Sequence, residues 1–476
     1  SYFEKLPPSI VDTIHNNRFQ EGNSLDTKIK KFRQYLYSFE SFDQELPVEL
    51  IKYSQSKSPF LFTEEEAIED IDFLFRLLKY GYAGYKYFGG DEKFNMAKGK
   101  IIIDIREKSL FSRILITSFK NILVQNLNFI KDGHFWIGGK SFLDKYYYFT
   151  SSRFDFRRDE EGYHTKFAGE KMYLLEVKGE DPEKYMKPSL DKNGEIIYRL
   201  GLISNQQYSN MRIKVKFIND EKIKTESVGF YKENSSVRGR KLPYDTREIS
   251  GITVIEHKTA NANPVNRKYL EKFMSEAEKF KDKEYIIIDL RGNSGGNDHY
   301  ARKWVTNYSG TAPGSGLIEA SLATRTSYQL FKNSISKYYE IDNPEEDTIY
   351  QHILEISKTG WSKVHYSQPQ KIKNNSLILV IIDSHVASAG EGFVRFLRQL
   401  ENVIFIGVNT KGLVNTGNVG FCQLPKSKMN VVLAKNLQLE PNLVLREGRG
   451  FNPDFWVEAE EALDKAVNFL KRYYLD

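Results

Sequence analysis

The stretch "IIDSHVASAGEGFVRFLRQL" (Ile381–Leu400) decides how this chain is read. An apolar run that begins upstream in "LILV" stops at Asp383, and the small residues Ala387-Ser388-Ala389-Gly390 follow. "GEGFVRFLRQL" then has the spacing of a helix, so the stretch reads as strand, tight corner and helix. A serine at that corner has two readings. With Glu391 three residues on, Ser388 completes a capping box and only starts a helix. Alternatively it is a nucleophile at a strand tip, near a helix N-terminus whose backbone field favours negative charge. The Ala389 N–H would then stand ready to stabilise an oxyanion.

Upstream, "DLRGNSGGNDHY" (Asp289–Tyr300) repeats the design: an apolar strand, "YIIIDLR", ends in a glycine-rich loop. Paired glycines such as Gly295-Gly296 let backbone N–H groups approach a substrate oxygen closely. The plainer reading is a tight strand-to-helix turn. A phosphate loop is disfavoured because the Lys-Ser/Thr ending is missing. "YIIIDLR" and "LILVIID" are continuous apolar runs, as in strands covered on both faces. "NVIFIGVNT" and "MNVVLAKN" give two more strands, and "NRKYLEKFMSEAEKF" a helix, so this half is α/β.

The first half has a different texture. "TEEEAIEDIDFLFRLLKYGY" (Thr63–Tyr82) opens with a Thr cap and an acidic first turn, then spaces Ile68, Ile71, Leu74, Leu77 and Leu78 as a helix. A second helical pattern covers Ser112–Ile130 and leads into "KDGHFWIGG". "IIIDIR" (Ile101–Arg106) echoes "IIIDLR" (Ile286–Arg291), but only the second is followed by glycines. From Lys166 to Tyr231 short alternating segments with turns predict a small β-rich unit. The expected division is a mainly helical domain over 1–165, the β-rich domain over 166–245 and an α/β core over 246–476.

Composition bounds the function. The chain has 476 residues, rich in Phe (32) and Tyr (29), which is a folded and not a disordered composition. The net charge of +6 is spread over 69 basic and 63 acidic residues with no dense basic block, so nucleic acid is not an expected partner. Cys422 is the single cysteine, which excludes an intrachain disulfide and a cysteine-built zinc site. No apolar run approaches the ~18 residues of a membrane span, and no His-x-x-x-His pair suggests a metallohydrolase. No metal and no cofactor is expected. The chain begins "SYFEKLPPSI" without Met. An exported protein already trimmed of its signal and a cytoplasmic protein both fit, and homo-oligomerisation is left open.

Taken together, the two glycine-framed corners resemble the C-terminal-processing (tail-specific) serine peptidases. That family's strand ends Asp-x-Arg-x-Asn-x-Gly-Gly, matched by Asp289, Arg291, Asn293, Gly295 and Gly296. Its downstream Ser-Ala-Gly/Ser-Glu is matched by Ser388, Ala389, Gly390 and Glu391, and its Gly-x-x-Thr-x-Gly by "IGVNTKG" (Ile406–Gly412). The likeness covers roughly Gly251 to Glu458. It implies a ClpP/crotonase-like spiral core and a helical domain before it, with the β-rich segment as a PDZ-like domain, a degenerate PDZ or an unrelated β insertion. A PDZ-like groove would take a peptide by strand addition.

The resemblance also assigns roles. In the Ser–Lys branch a lysine follows Gly-x-x-Thr-x-Gly; here Leu413 stands there, and Lys411 two residues earlier is only an auxiliary candidate. The branch typified by the tricorn protease takes a histidine from the amino-terminal part and a late glutamate. "FIKDGHFWIG" supplies His134, with Gly133 where that branch often has Ser. "EGRGFNPDFWVE" supplies Glu447, with Gly448 and Phe451 in place of the usual Asn and Val. The implied enzyme is a serine peptidase of peptides or unfolded proteins. Ser388 is its nucleophile, His134 its base and Glu447 an orienting group, with the N–H groups of Gly295 or Gly296 and Ala389 as oxyanion hole. His385 and Glu391 are further auxiliary candidates, His385 as a cleft-lining and Glu391 as a loop-pinning residue. The alternatives are an inactive ligand- or peptide-binding protein on the same scaffold, and an esterase or amidase of small substrates.

Overall fold

The computed structural model describes residues 2–18, 24–233, 242–339, 358–442, 444 and 446–475. The apolar runs flanking the two corners are neighbours in one six-stranded sheet. Its order is Tyr244–Ile249, Ile252–His257, Tyr285–Asp289, Leu377–Ile382, Val403–Gly407 and Phe455–Trp456. The first pair is antiparallel and the rest are parallel. Ile287, Leu379 and Ile381 point into one core while Ile286, Ile288, Val380 and Ile382 point into another. That alternation explains the unbroken hydrophobicity of these strands: each residue faces packed protein on its own side. Helices Pro264–Glu276, His299–Ser309 and Ala389–Leu397 cover one face through Phe273, Trp304 and Phe393. The C-terminal helix Ala462–Tyr473 covers the other.

That other face also packs against an eight-stranded antiparallel sheet. It takes in Tyr147–Thr150, Arg157–Asp159 and Gly162–Phe167, so its first strands precede the expected start at 166. The turn-rich "SSRFDFRRDEEGYH" hid them. Between Tyr147 and Lys232 the described residues form strands and one 3-10 turn, with no α-helix.

The N-terminal unit is helical, as its spacing predicts. Helix Glu64–Gly81 starts from Thr63, whose side chain accepts the Glu66 N–H while Glu66 accepts the Thr63 N–H. The second pattern begins differently. Phe111 and Ser112 take positive φ, and Arg113–Leu115 pair with Leu61–Thr63 as a two-stranded antiparallel sheet before helix Ile116–Leu127. β-branched Ile114, just after that turn, favours extension once the backbone has reversed. No helix among the described residues is long and apolar enough to cross a membrane.

One small element joins the halves. Trp136–Ile137 adds to the edge of Asn430–Leu439, pairing Val431 with Ile137 and Val432 with Trp136. Phe135 and Ile137 are fully buried in the helical unit's core beside Val431 and Leu433. The residue just ahead of this strand is His134, so a two-residue addition fixes where a distant imidazole stands.

Candidate active site

Adjacent parallel strands place the corners side by side, since Asp289 pairs with Ile381. The corners are then cross-tied. Asp383 Oδ1 accepts the N–H groups of Gly292, His385 and Val386, and the Ala387 N–H donates to the Asn293 carbonyl. Buried Asn293 donates from Nδ2 to the His257 carbonyl and accepts the Gly295 N–H. Below the loop Asp289 is fully buried between Arg291 and Lys258, at 2.7 and 2.8 Å. These two cations hold its carboxyl well below the usual range despite burial.

Gly295 has φ +108, and a Cβ there would lie 2.9 Å from the Ser388 Cβ and 2.9 Å from the Ala387 carbonyl oxygen. Only glycine lets the loop approach the serine this closely. Gly296, at φ +137, is held as tightly, with a Cβ there 2.1 Å from the Ala260 carbonyl. The Gly295 amide is given to Asn293. Those of Gly296 and Ala389 have no partner among the described residues.

Ser388 itself has φ +51, a conformation costly for a side chain with a Cβ, at the cap of helix Ala389–Leu397. Its N–H donates to Glu391 Oε2 at 3.1 Å, which is half of the capping box that the spacing suggests. Its hydroxyl does something else: Oγ is 3.1 Å from Nε2 of His134. Ser388 is half-buried and lines, with His134, Gly296 and Ala389, a cleft of about 990 Å³. Apolar Trp136, Leu317, Phe331 and Val419 form part of its wall. Burial pulls the His134 pKa down and Lys411 adds to that, while the charge of Asp132 works against both.

Behind the imidazole, Thr416 Oγ1 lies 3.3 Å from Nδ1 and donates to Asp132 Oδ1 at 2.8 Å. Asp132 also accepts the His134 N–H at 2.8 Å and the Tyr82 hydroxyl at 2.5 Å. The carboxylate of Glu447 is one layer further back. It accepts the N–H groups of Gly133, Val414 and Asn415 at 2.9, 3.0 and 2.9 Å. Burial, with the charge of Asp132 added, pushes its pKa above the usual carboxylate range.

The auxiliary candidates separate. Glu391 is a fixture: besides Ser388 it accepts the Thr410 hydroxyl and the Gly412 and Leu413 amides. His385 is half exposed and turned to Asp383, 3.8 Å away, whose carboxylate raises its pKa. Lys411 is half-buried and reaches His134 only through its field. Among the described residues no group of three or more His, Cys, Asp or Glu could hold a metal ion. The residues that sequence reasoning missed are Asp132, Thr416 and Tyr82. Asp132 had a signal, standing two residues before His134 in "KDGHFW". Thr416 and Tyr82 had none, because distant strands and helices bring them in.

A serine hydroxyl in a strained corner, hydrogen-bonded to a buried histidine beside two unpaired amides at a cleft, is an arrangement suited to serine-hydrolase chemistry. The family model of peptidase family S41 matches residues 251–456, and the chain is a serine-type peptidase. No curated protein matches it. Similar solved structures include mature CPAF, at 14% identity and TM-score 0.45 over 86% of this chain and 96% of that one. A putative peptidase from Parabacteroides merdae ATCC 43184 is similar at 12% and 0.42, over 86% and 97%. The tricorn protease is similar at 12% and 0.36, over 86% of this chain and 37% of that one.

Proposed function

We propose that this chain cleaves peptides or unfolded protein segments through an acyl-enzyme on Ser388. His134 takes the Ser388 proton during attack and returns it to the leaving amine. The amides of Gly296 and Ala389 receive the developing oxyanion, a role in which losing one donor costs about 10²–10³ in rate. The single observation carrying this reading is the 3.1 Å contact between Ser388 Oγ and His134 Nε2 at the cleft. The positive φ of Ser388 agrees with it, since such strain is kept where it aims a reacting group. Unpaired amides beside the serine favour hydrolysis over simple ligand carriage.

The finer fold reading belongs to the same proposal: a ClpP/crotonase-like spiral core, with the β-rich segment presenting peptide to the cleft as a PDZ-like domain would. The three-domain division is part of it. Turnover of casein or a permanently unfolded protein, set beside turnover of a nitrophenyl ester, tests the substrate class. Cleavage of the polypeptide that disappears in Ser388→Ala is the expected result. Ester turnover with no polypeptide cleavage would replace the reading with a small-substrate esterase.

A further inference from the structure

The chain of groups behind His134 has only one arrangement of protons that satisfies it. Asp132 is 1% exposed and accepts from three donors: the His134 amide, the Thr416 hydroxyl and the Tyr82 hydroxyl. A carboxylate so surrounded is an acceptor only. Thr416 has one hydroxyl proton and gives it to Asp132, so toward Nδ1 of His134, 3.3 Å away, its oxygen can only accept. Nδ1 therefore carries the ring proton. Nε2 is left bare toward Ser388 and takes the hydroxyl proton there.

Among the described residues no other side chain hydrogen-bonds to Nδ1 of His134. Glu447 is occupied by three backbone amides, those of Gly133, Val414 and Asn415. A side chain at position 133 cannot supply the hydroxyl, because a Cβ there would sit 2.6 Å from Leu413 Cγ. The charges that act on the imidazole are Asp132, which favours the imidazolium, and Lys411, which opposes it. The Tyr82 hydroxyl donates to Asp132 Oδ2, and Glu447 acts on Asp132 through its charge.

We infer that Thr416 and Asp132 are the positioning residues of this site, a hydroxyl–carboxylate relay that sets the His134 tautomer, while Glu447 holds the backbone carrying the imidazole. The relay rests on Ser388 and His134 being the reacting pair. When His134 accepts the serine proton, its Nδ1–H stays in place and the charge of Asp132 steadies the imidazolium through the threonine oxygen. No proton leaves Thr416.

The test is nitrogen NMR of the full chain labelled at histidine, the His134 signals being assigned by their loss in His134→Gln. The expected neutral form carries its proton on Nδ1. Thr416→Val and Asp132→Asn should each lower the His134 titration midpoint. Each should also cut kcat/KM on the order of 10²-fold. Thr416→Ser should restore both to within a few-fold, which a packing role would not. Because the two residues act in series, the double variant should be no worse than the poorer single one. A proton on Nε2 in the wild type, or a midpoint moved by Glu447→Gln but not by Thr416→Val, would overturn the relay. The tautomer is read without turnover, so an inactive wild type counts against the peptidase roles and leaves the relay to be judged on the nitrogen signals.

Discussion

"IIIDIR" at Ile101–Arg106 and "IIIDLR" at Ile286–Arg291 are nearly the same six residues in two different structures. The first lies inside helix Gly90–Lys108, and the second runs out of strand Tyr285–Asp289 into the glycine loop. In the helix Ile101 and Ile105 are buried four apart while Ile103 is 55% exposed. In the strand Ile286, Ile287 and Ile288 are all buried, on alternating faces. The acid follows the same rule. Asp104 is half exposed and takes one hydrogen bond from Asn126, whereas Asp289 is fully buried between two cations. Local β propensity does not decide between these outcomes. Polar neighbours at helical spacing surround the first copy, and "GNSGG" ends the second where another strand tip waits beside it.

That contrast gives ordered expectations. Asp289→Asn leaves Lys258 and Arg291 without their carboxylate and should cost about 3–5 kcal/mol, read from denaturant midpoints. Asp104→Asn should stay within about 0.5 kcal/mol. The acid effect has a sign that can be checked. The folded pKa of Asp289 lies below the unfolded value of about 3.9, so its contribution is full above that pH and is lost as pH falls below it. The stability gap between wild type and Asp289→Asn should therefore be constant at neutral pH and begin to close below about pH 4. Equal losses at both aspartates would break the comparison. Smaller in its lower bound, Ile288→Ala should cost about 2–5 kcal/mol through the cavity it leaves. Ile103→Ala should fall within about 0.5 kcal/mol, measured in the same way.

The carboxyl ends of the core strands were readable because continuous apolar runs and paired glycines are local signals. Ser388, Gly295 and Gly296 stand together on that account, and so does the Thr63 cap with Glu66. His134 could be reached only through family resemblance, for its place depends on Trp136–Ile137 joining a strand almost three hundred residues on. Its support was legible in part. Asp132 was on the page two residues away, but a carboxylate beside a turn glycine reads as an ordinary loop residue until Thr416 is brought against it. Glu447 was found by position, and it is the contact with the Gly133, Val414 and Asn415 amides that defines what it holds. The early strands of the eight-stranded sheet were missed because charged residues and turns interrupt their alternation.

Covalent labelling of the full chain with a fluorophosphonate tests the central claim most directly, since it asks for an activated serine without assuming a substrate. Intact mass and peptide mapping of wild type, Ser388→Ala and His134→Ala give the answer. The predicted result is one adduct on Ser388, absent in Ser388→Ala and formed at least about 10²-fold more slowly in His134→Ala. Labelling at another residue, or an undiminished rate without His134, would contradict the assignment of Ser388 and His134 as the reacting pair.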